Sequence, residues 1–586
     1  MKQHLASVYI FAFLGVSLLI QPCFSQVDAY VLLEGKIMDA ESKKGIAYAN
    51  IYNLTNGKGT ISNFEGEYTF LRCQAPDSIR ISYIGYETRY FLVSELSQMD
   101  LIYLKVKPEL LGMVSIYGDN NFIYELLARS PKTQNNTPLQ AKSYFSLESY
   151  IEDTQVELLE GYYNGIYRGY EIDDLNLKNA RIALSSKGSK FFVSLETSKA
   201  QYSHRIFENN LSFPKSPFEL SKSKAKRTFQ VKLARSYKNE AGNTILIVDF
   251  KPKKDSLRAF EGRVWIDSTD ASIQKISLQC LNAEVHPFHP IWSDDVLLKV
   301  DLNLVKTYKK VDDKMYVDAI DFNYRLSYKD RLDSLYEIST HNMIYAYDYS
   351  DAFMLPFFDF GVNEESDYRK VNATPYNTFF WKNMDEFTAY DRQKINQKFL
   401  AKASLNSETL FLGNNYFVKG FYEQPYVFWS PKRIQFDDSK IKQENDDVKS
   451  AFIRDHYKLH VQIYLDVNFL NDSLHTLTKT ILDPFSSFYY FPIDAKNTAF
   501  LNLYFDFMEI QRRELDRDLK KAGNSPQKAK AIYENKMLEV ERMSNIFFSN
   551  TERGNNREGM LRWNDYVVKG LNINNWEIFA LDFAYD

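Results

Sequence analysis

Glu34-Gly35-Lys36-Ile37-Met38-Asp39, Gly45-Ile46-Ala47-Tyr48-Ala49-Asn50-Ile51, Gly59-Thr60-Ile61-Ser62-Asn63-Phe64-Glu65-Gly66-Glu67-Tyr68 and Ile81-Ser82-Tyr83-Ile84-Gly85-Tyr86 lie within Val31 to Gly118. Apolar and polar residues alternate over short runs, and Gly, Asn and Asp interrupt them at turn spacing. Such a pattern predicts a small β-sandwich, which suits binding and spacing rather than chemistry. Strands are expected at Tyr30–Ile37, Ala47–Leu54, Glu67–Leu71, Ser78–Tyr83, Thr88–Val93 and Leu101–Val106. Asn56-Gly57 predicts a type I′ hairpin, because both central residues of that turn need positive φ.

These residues resemble the carboxypeptidase regulatory-like domain, a transthyretin-like sandwich found at the N-terminus of many exported bacterial proteins. The resemblance rests on Gly35, Asp39, Gly45, Gly59-Thr60, Gly66, Tyr68, Tyr83-Ile84-Gly85-Tyr86 and the closing Leu110 to Ile116 segment. Asn63 departs from the family's usual Asp; the exchange keeps the side-chain turn bond but removes a charge that a cation would want. The family carries no catalytic residues, so the resemblance implies none here.

Upstream, Lys2 and His4 precede a largely apolar run from Leu5 to Ile20, and Gln21-Pro22-Cys23-Phe24-Ser25 breaks it. The reading is a signal peptide over residues 1–25, cut between Ser25 and Gln26. The run is shorter than the roughly 20 residues a bilayer span needs, and no later stretch reaches that length, so no transmembrane helix is expected in the mature chain. A competing reading makes Cys23 a lipid-modified residue, but Pro22 stands where a small residue is expected. Export to the periplasm or outer membrane follows, with peripheral membrane association open.

Among 586 residues, 41 Tyr and 43 Phe stand against 22 Gly, a bias toward half-buried pleated surfaces. A net charge of −4 leaves no basic footprint for nucleic acid. Cys73 and Cys280 remain after signal removal and are too few for a disulfide framework, although one long-range bridge is permitted.

Asn120-Asn121 is expected to cap a helix over Phe122–Ser130. Long strands follow at Tyr144–Ile151, Val156–Ile166, Phe229–Tyr237, Thr244–Pro252, Phe260–Ile266, Ser272–Cys280, Val296–Tyr308, Met315–Lys329 and Ser334–Asp348. They predict one large curved antiparallel sheet over residues 119–349. Phe260-Glu261-Gly262-Arg263-Val264-Trp265-Ile266-Asp267, returning through Ala271-Ser272-Ile273-Gln274-Lys275-Ile276, resembles the hairpin of periplasmic lipoprotein-carrier proteins. That resemblance implies a half-barrel with an apolar concave face. Residues 350–455 read as an irregular, aromatic-rich connection with a helix over Asp385–Phe399 and a charged linker over Asp437–Lys449. Residues 456–586 read as an α+β domain, with strands at His456–Phe469 and Asn497–Phe507 and a helical hairpin over Phe507–Ala522 and Pro526–Phe548. The fold class is therefore mainly β: sandwich at residues 27–118, half-barrel-like sheet, then an α+β end.

Chemistry is sparse. His286 and His289 flank Phe288 near Asp294-Asp295, but their prolines impose an extended turn and no further ligand completes a metal site. His456 and His460 lie in strand-like sequence without the Glu of a metalloprotease helix. There is no G-x-S-x-G elbow, P-loop or dinucleotide fingerprint, and no cofactor is expected. The mixed-sign run Glu509–Asp518 reads as an exposed helix face. The candidate ligand cleft consists of Tyr144, Tyr150, Tyr162, Tyr167, Trp265 and Trp292, aromatics that would line the concave face or else form core. The reading favours an exported, non-enzymatic binding or scaffolding protein of the bacterial envelope, holding a lipid, a peptide or a protein partner. The alternative is a hydrolase with its active site in residues 350–586 and the sandwich as accessory.

Overall fold

Leu33 and Ile37, an even number of residues apart on β1 (Val31–Asp39), turn to a shared interior. The computed structural model describes residues 31–63, 65–108, 120–184, 202–254, 256–290, 293–360, 370, 371, 373–383, 426–435, 441–443, 457–470, 473–489 and 493–585. Those up to Val106 form one compact unit and those from Lys107 onward another.

In the first unit, β1 lies between β4 (Glu67–Cys73) and β7 (Leu101–Leu104). A second sheet orders β3 (Gly59–Ile61), β2 (Asn50–Asn53), β5 (Ser78–Ser82) and β6 (Arg89–Leu92). Ile51, Phe70, Ile79, Ile81 and Ile102 join Leu33 and Ile37 between the two, the sandwich expected from sequence. Asn63 Oδ1 accepts from the amides of Glu65 at 3.0 Å and Glu67 at 2.8 Å, so the Asn keeps the turn. Gly66 has φ of 85°, and a Cβ there would meet the Ile37 carbonyl at 2.5 Å. The Asn56-Gly57 expectation needs correction. Gly57 has positive φ and Asn56 does not, and Asn53 Oδ1 organises the loop by accepting from Thr55 N at 2.9 Å and Asn56 N at 3.3 Å. A longer side-chain-bonded loop replaces the two-residue turn. Cys73 and Cys280 are both buried free thiols.

The second unit is built on ten strands: β8 (Pro138–Ile151), β9 (Thr154–Arg168), β10 (Glu171–Leu184), β11 (Phe229–Lys238), β12 (Thr244–Pro252), β13 (Glu261–Asp267), β14 (Ile273–Cys280), β15 (Val296–Val311), β16 (Lys314–Lys329) and β17 (Leu335–Asp348). They form one open sheet in the order β10-β9-β8-β17-β16-β15-β14-β13-β12-β11, with antiparallel neighbours throughout. β10 was not anticipated. Glu171 on β10 and Lys306 on β15 are five strands apart, about 24 Å in a flat sheet. Their charged groups are 3.8 Å apart, which requires the sheet to curl strongly.

The inner face of that curl is packed. Ile123, Leu126 and Leu127 of the helix Asn121–Arg129, Phe213 and Phe218, and Ala225 of the helix Lys222–Thr228 fill it against Phe145, Leu147, Tyr163, Val264, Leu304 and Phe322. Asn120 does not cap the first helix: it is itself helical at φ −59°, and its side chain makes no cap bond.

A polar row interrupts this core. Ser149 Oγ donates to Glu157 Oε2 at 3.3 Å and shares a 3.0 Å hydrogen bond with Thr340 Oγ1. Asn342, fully buried, makes no hydrogen bond through either amide atom. Burial raises the Glu157 carboxyl to about 8, with Ser149 opposing weakly.

Past residue 426, β21 (Val461–Leu470) and β22 (Ser473–Leu482) form a hairpin extended by β18 (Val427–Phe428), beside a small sheet of β19 (Lys442–Gln443), β23 (Phe488–Tyr489) and β20 (Tyr457–Lys458). Three helices follow, Ala495–Leu519, Pro526–Thr551 and Arg557–Leu571. The expected strand at Asn497–Phe507 is the first part of a helix that Asp494 caps by accepting from Asn497 N at 2.7 Å. Every residue from Thr498 to Gln511 is buried; Thr498, Asn502, Asp506 and Glu509 recur at helical spacing, a period that the strand expectation passed over among the surrounding apolar and aromatic residues. Ser525 caps the Pro526 helix as expected, accepting from Lys528 N at 3.3 Å. Among the described residues no helix is long and apolar enough to cross a membrane. The Ser25–Gln26 cleavage site, Leu110–Ile116, the Asp385–Phe399 helix, His456 and most of the Asp437–Lys449 linker lie outside the described residues.

Glu157 supplies a pH test. Its folded value is raised, so above the unfolded value near 4.5 the native state holds a proton that the unfolded chain releases. Stability therefore falls as pH rises from about 4.5 to about 8. Glu157→Gln should remove that slope and stabilise the protein by more than about 2 kcal/mol at pH 8, measured by urea unfolding across the pH range; a parallel slope in both proteins would refute the assignment.

Candidate functional site

Tyr144 and Tyr162 face each other across β8 and β9, their ring centroids 5.3 Å apart. They lie on the outer face of the sheet, opposite Phe145 and Tyr163, and the segment after β17 covers them. Tyr162 meets Phe353 at 6.2 Å, Phe380 at 5.2 Å and Trp381 at 5.6 Å, all in edge-on geometry. Phe380 and Trp381 belong to the short helix Thr378–Asn383.

A polar network runs beneath this aromatic layer. Tyr144 donates to Glu160 Oε1 at 2.8 Å, and the other Glu160 oxygen accepts from Arg181. The Arg181 guanidinium stacks 4.1 Å from the Trp381 ring centroid, and the Trp381 indole N–H donates to Asn179 Oδ1 at 2.8 Å. Beside them, Lys178 of β10 forms an ion pair with Asp466 of β21; the two side chains are 1% and 0% exposed. Lys178 Nζ also donates to the carbonyls of Met354 at 2.7 Å and Val467 at 2.9 Å. Asp466 Oδ2 accepts from Asn377 at 2.8 Å and Asn468 at 3.0 Å. Burial pulls the Lys178 ammonium below its ordinary value, and Asp466 opposes that.

All three ammonium hydrogens thus have acceptors, and both carboxylate oxygens have donors. Groups so saturated hold elements together. The network fastens β21 and the Thr378–Asn383 helix onto the outer face of β8–β10.

Next to it opens a cavity of about 370 Å³. Its apolar lining comes from Phe353, Met354, Phe379, Phe380, Phe469 and Leu470, and its polar lining from Lys142, Asp351, Asn383, Asn468 and Gln527, with the Lys178 side chain also touching it. Lys142 is paired with Asp351 and lies 3.8 Å from Asp348, so this cation is already neutralised. The Phe379 ring stacks on His475 with centroids 3.5 Å apart.

The aromatics named from sequence do not converge on one cleft. Tyr144 and Tyr162 come together behind the cavity. Tyr167 lies on the inner face, sharing a 2.6 Å hydrogen bond with Ser143, its ring 5.7 Å from Tyr349. Tyr150 is half-buried and donates to Glu148 at 2.7 Å. Trp265 lies on the outer face of β13, with the Lys275 ammonium 4.8 Å from its ring, at a separate concavity of about 600 Å³. Trp292 is outside the described residues. The His286 ring stacks near Phe288, while the Asp295 carboxylate accepts from Tyr328 and from Arg331 N. Lys178, Asp466, Asn377 and Asn468 were missed. Their signal was a charge inside an apolar strand, as in Tyr464-Leu465-Asp466-Val467, which demands a partner that sequence alone does not name.

Residues 33–113 match the family model of the CarboxypepD_reg-like domain. No curated protein matches the chain. Among solved structures, a LolA superfamily protein from Nitrosomonas europaea is 10% identical, with 39% of this chain and 93% of that one covered and a TM-score of 0.15. A putative outer membrane lipoprotein-sorting protein domain from Vibrio parahaemolyticus is 11% identical over 40% and 91%, with a TM-score of 0.15. MucB is 9% identical over 39% and 92%, with a TM-score of 0.14.

The Lys178–Asp466 pair sets a test of the seam. Lys178→Met should leave a buried carboxylate uncompensated and cost about 3–5 kcal/mol. Lys178→Met combined with Asp466→Leu should cost clearly less than the two single changes added together. Urea unfolding of the four proteins measures the coupling; additive losses would show the pair is not the fastening described.

Proposed function

We propose that this chain is an exported, non-enzymatic binding or scaffolding protein of the bacterial envelope, which holds a peptide or protein partner at the cavity beside Lys178. One observation carries the proposal: the cavity has mixed lining, while the charged groups around it are saturated by partners of their own. Such a site can receive and orient a ligand, whereas hydrolysis needs a nucleophile or base with an unshared lone pair. With the inner face of the sheet packed by the chain's own side chains, the cavity on the outer side is the better candidate for the ligand site expected on the concave face. The regulatory-like module then serves as a spacer or docking unit, and the signal sequence supplies the envelope address.

The test replaces Phe469, exposed at the cavity, with the photo-crosslinker p-benzoylphenylalanine in the full-length protein expressed in a Gram-negative host. Irradiation should yield a discrete covalent adduct with an envelope polypeptide, and Ala352→Trp, which fills the cavity, should abolish it. An adduct pattern unchanged by Ala352→Trp would remove the cavity as the binding site.

A further inference from the structure

The seam cavity carries a statement about ligand chemistry that rests on the binding reading above. We infer that it takes an uncharged stretch of polypeptide through one large apolar side chain, of phenylalanine or leucine size, rather than an acyl chain or an anionic headgroup.

Three observations decide between these classes. The first is size. About 370 Å³ lies at the small end of ligand pockets, which run from roughly 300 to 1,000 Å³, and suits one anchor residue with its adjoining backbone. The second is that, among the described lining residues, the charges are compensated. Lys178 donates to Asp466, Met354 O and Val467 O, and Lys142 pairs with Asp351 near Asp348, so neither cation is left for a carboxylate or phosphate. An anion entering here would lose its hydration and find no free counter-charge among the described lining residues.

The third is the amide content of the lining. Asn383, Asn468 and Gln527 each carry both a donor and an acceptor; Asn468 gives one amide hydrogen to Asp466, Asn383 one to Phe379 O, and Gln527 Oε1 accepts from Ser525, which leaves the Asn468 oxygen and the Gln527 amide nitrogen to bond a ligand. Peptide N–H and C=O groups complement such side chains. A saturated acyl chain would cover them and return no hydrogen bonds, at a cost of about 1–3 kcal/mol for each buried group left unmade. The apolar lining is rich in aromatic rings, from Phe353, Phe379, Phe380 and Phe469. Aromatic rings favour an aromatic or branched anchor over a small one.

The experiment uses the full mature protein and four probes: Ac-Gly-Gly-Phe-Gly-Gly-NH2, the same peptide with Leu or with Ala in place of Phe, and decanoate. Binding is followed by isothermal titration calorimetry, on wild type and on Ala352→Trp, whose melting temperature is checked first. A second variant, Phe469→Ala, alters the exposed part of the lining and keeps the test valid if Ala352→Trp does not fold. The expected result is that the Phe and Leu peptides bind at least tenfold more tightly than the Ala peptide and than decanoate. Ala352→Trp should weaken the Phe peptide at least tenfold, and Phe469→Ala should weaken it measurably. Decanoate binding more tightly than the Phe peptide, and being displaced by Ala352→Trp, would overturn the peptide inference while leaving a binding protein. Equal affinities for the Phe and Ala peptides would also overturn it. No probe binding, or binding indifferent to both variants, would overturn the inference and the cavity's role together.

Discussion

The pairing of β8 with β17 is the contact on which the second unit depends. It joins Lys142–Ile151 to Ile338–Asp348, strands close in space and far apart in sequence, and converts two runs of hairpins into one sheet. Every other neighbour in that sheet is also a neighbour in the chain. Without this pairing β8–β10 would be a separate three-stranded ribbon with two bare edges, each an open template for another strand. The pairing also sets the register that sends Phe145 and Ile344 inward while Tyr144 and Tyr345 face outward. A shift of one residue would exchange those faces.

Because β8–β10 are buried on both sides, their composition is unusual for an antiparallel sheet, which commonly leaves one face to solvent. The inner face is apolar and aromatic, filled by the chain's own helices. The outer face mixes tyrosine with Glu160, Lys178, Asn179 and Arg181, and each of these meets a partner from residues after β17 or from a neighbouring strand. Buried charges are tolerated there because the geometry satisfies them, while an unmatched alternative docking would leave them bare. The seam is thus specific rather than merely adhesive, and the cavity beside it has defined walls.

The β signal was legible where alternation was regular. All nine expected strands of the large sheet lie within observed strands, apart from a single residue at some ends, because β-branched and aromatic residues alternate with polar ones there. β10 was less visible, since Glu-Ile-Asp-Asp-Leu-Asn-Leu-Lys-Asn carries polar residues that read as loop until their partners are known. The misread segment Asn497–Phe507 failed for the opposite reason. It is buried all round and dominated by apolar and aromatic residues, so its strand-like composition outweighed the four-residue recurrence of Thr498, Asn502 and Asp506. The site was the least legible part. Lys178 and Asp466 belong to different strands and only meet through docking, and no spacing rule connects them.

Local sequence thus settled the all-β sandwich, its Asn63-bonded turn, the strand-rich middle and the capped Pro526 helix, because each depends on periodicity or on a side chain bonding a few residues away. Tertiary structure alone decided the strand order, the curl, which aromatics face in or out, and the seam with its cavity. Those outcomes depend on distant surfaces meeting, and the free energy of such a meeting depends on both surfaces at once, which a local pattern does not contain.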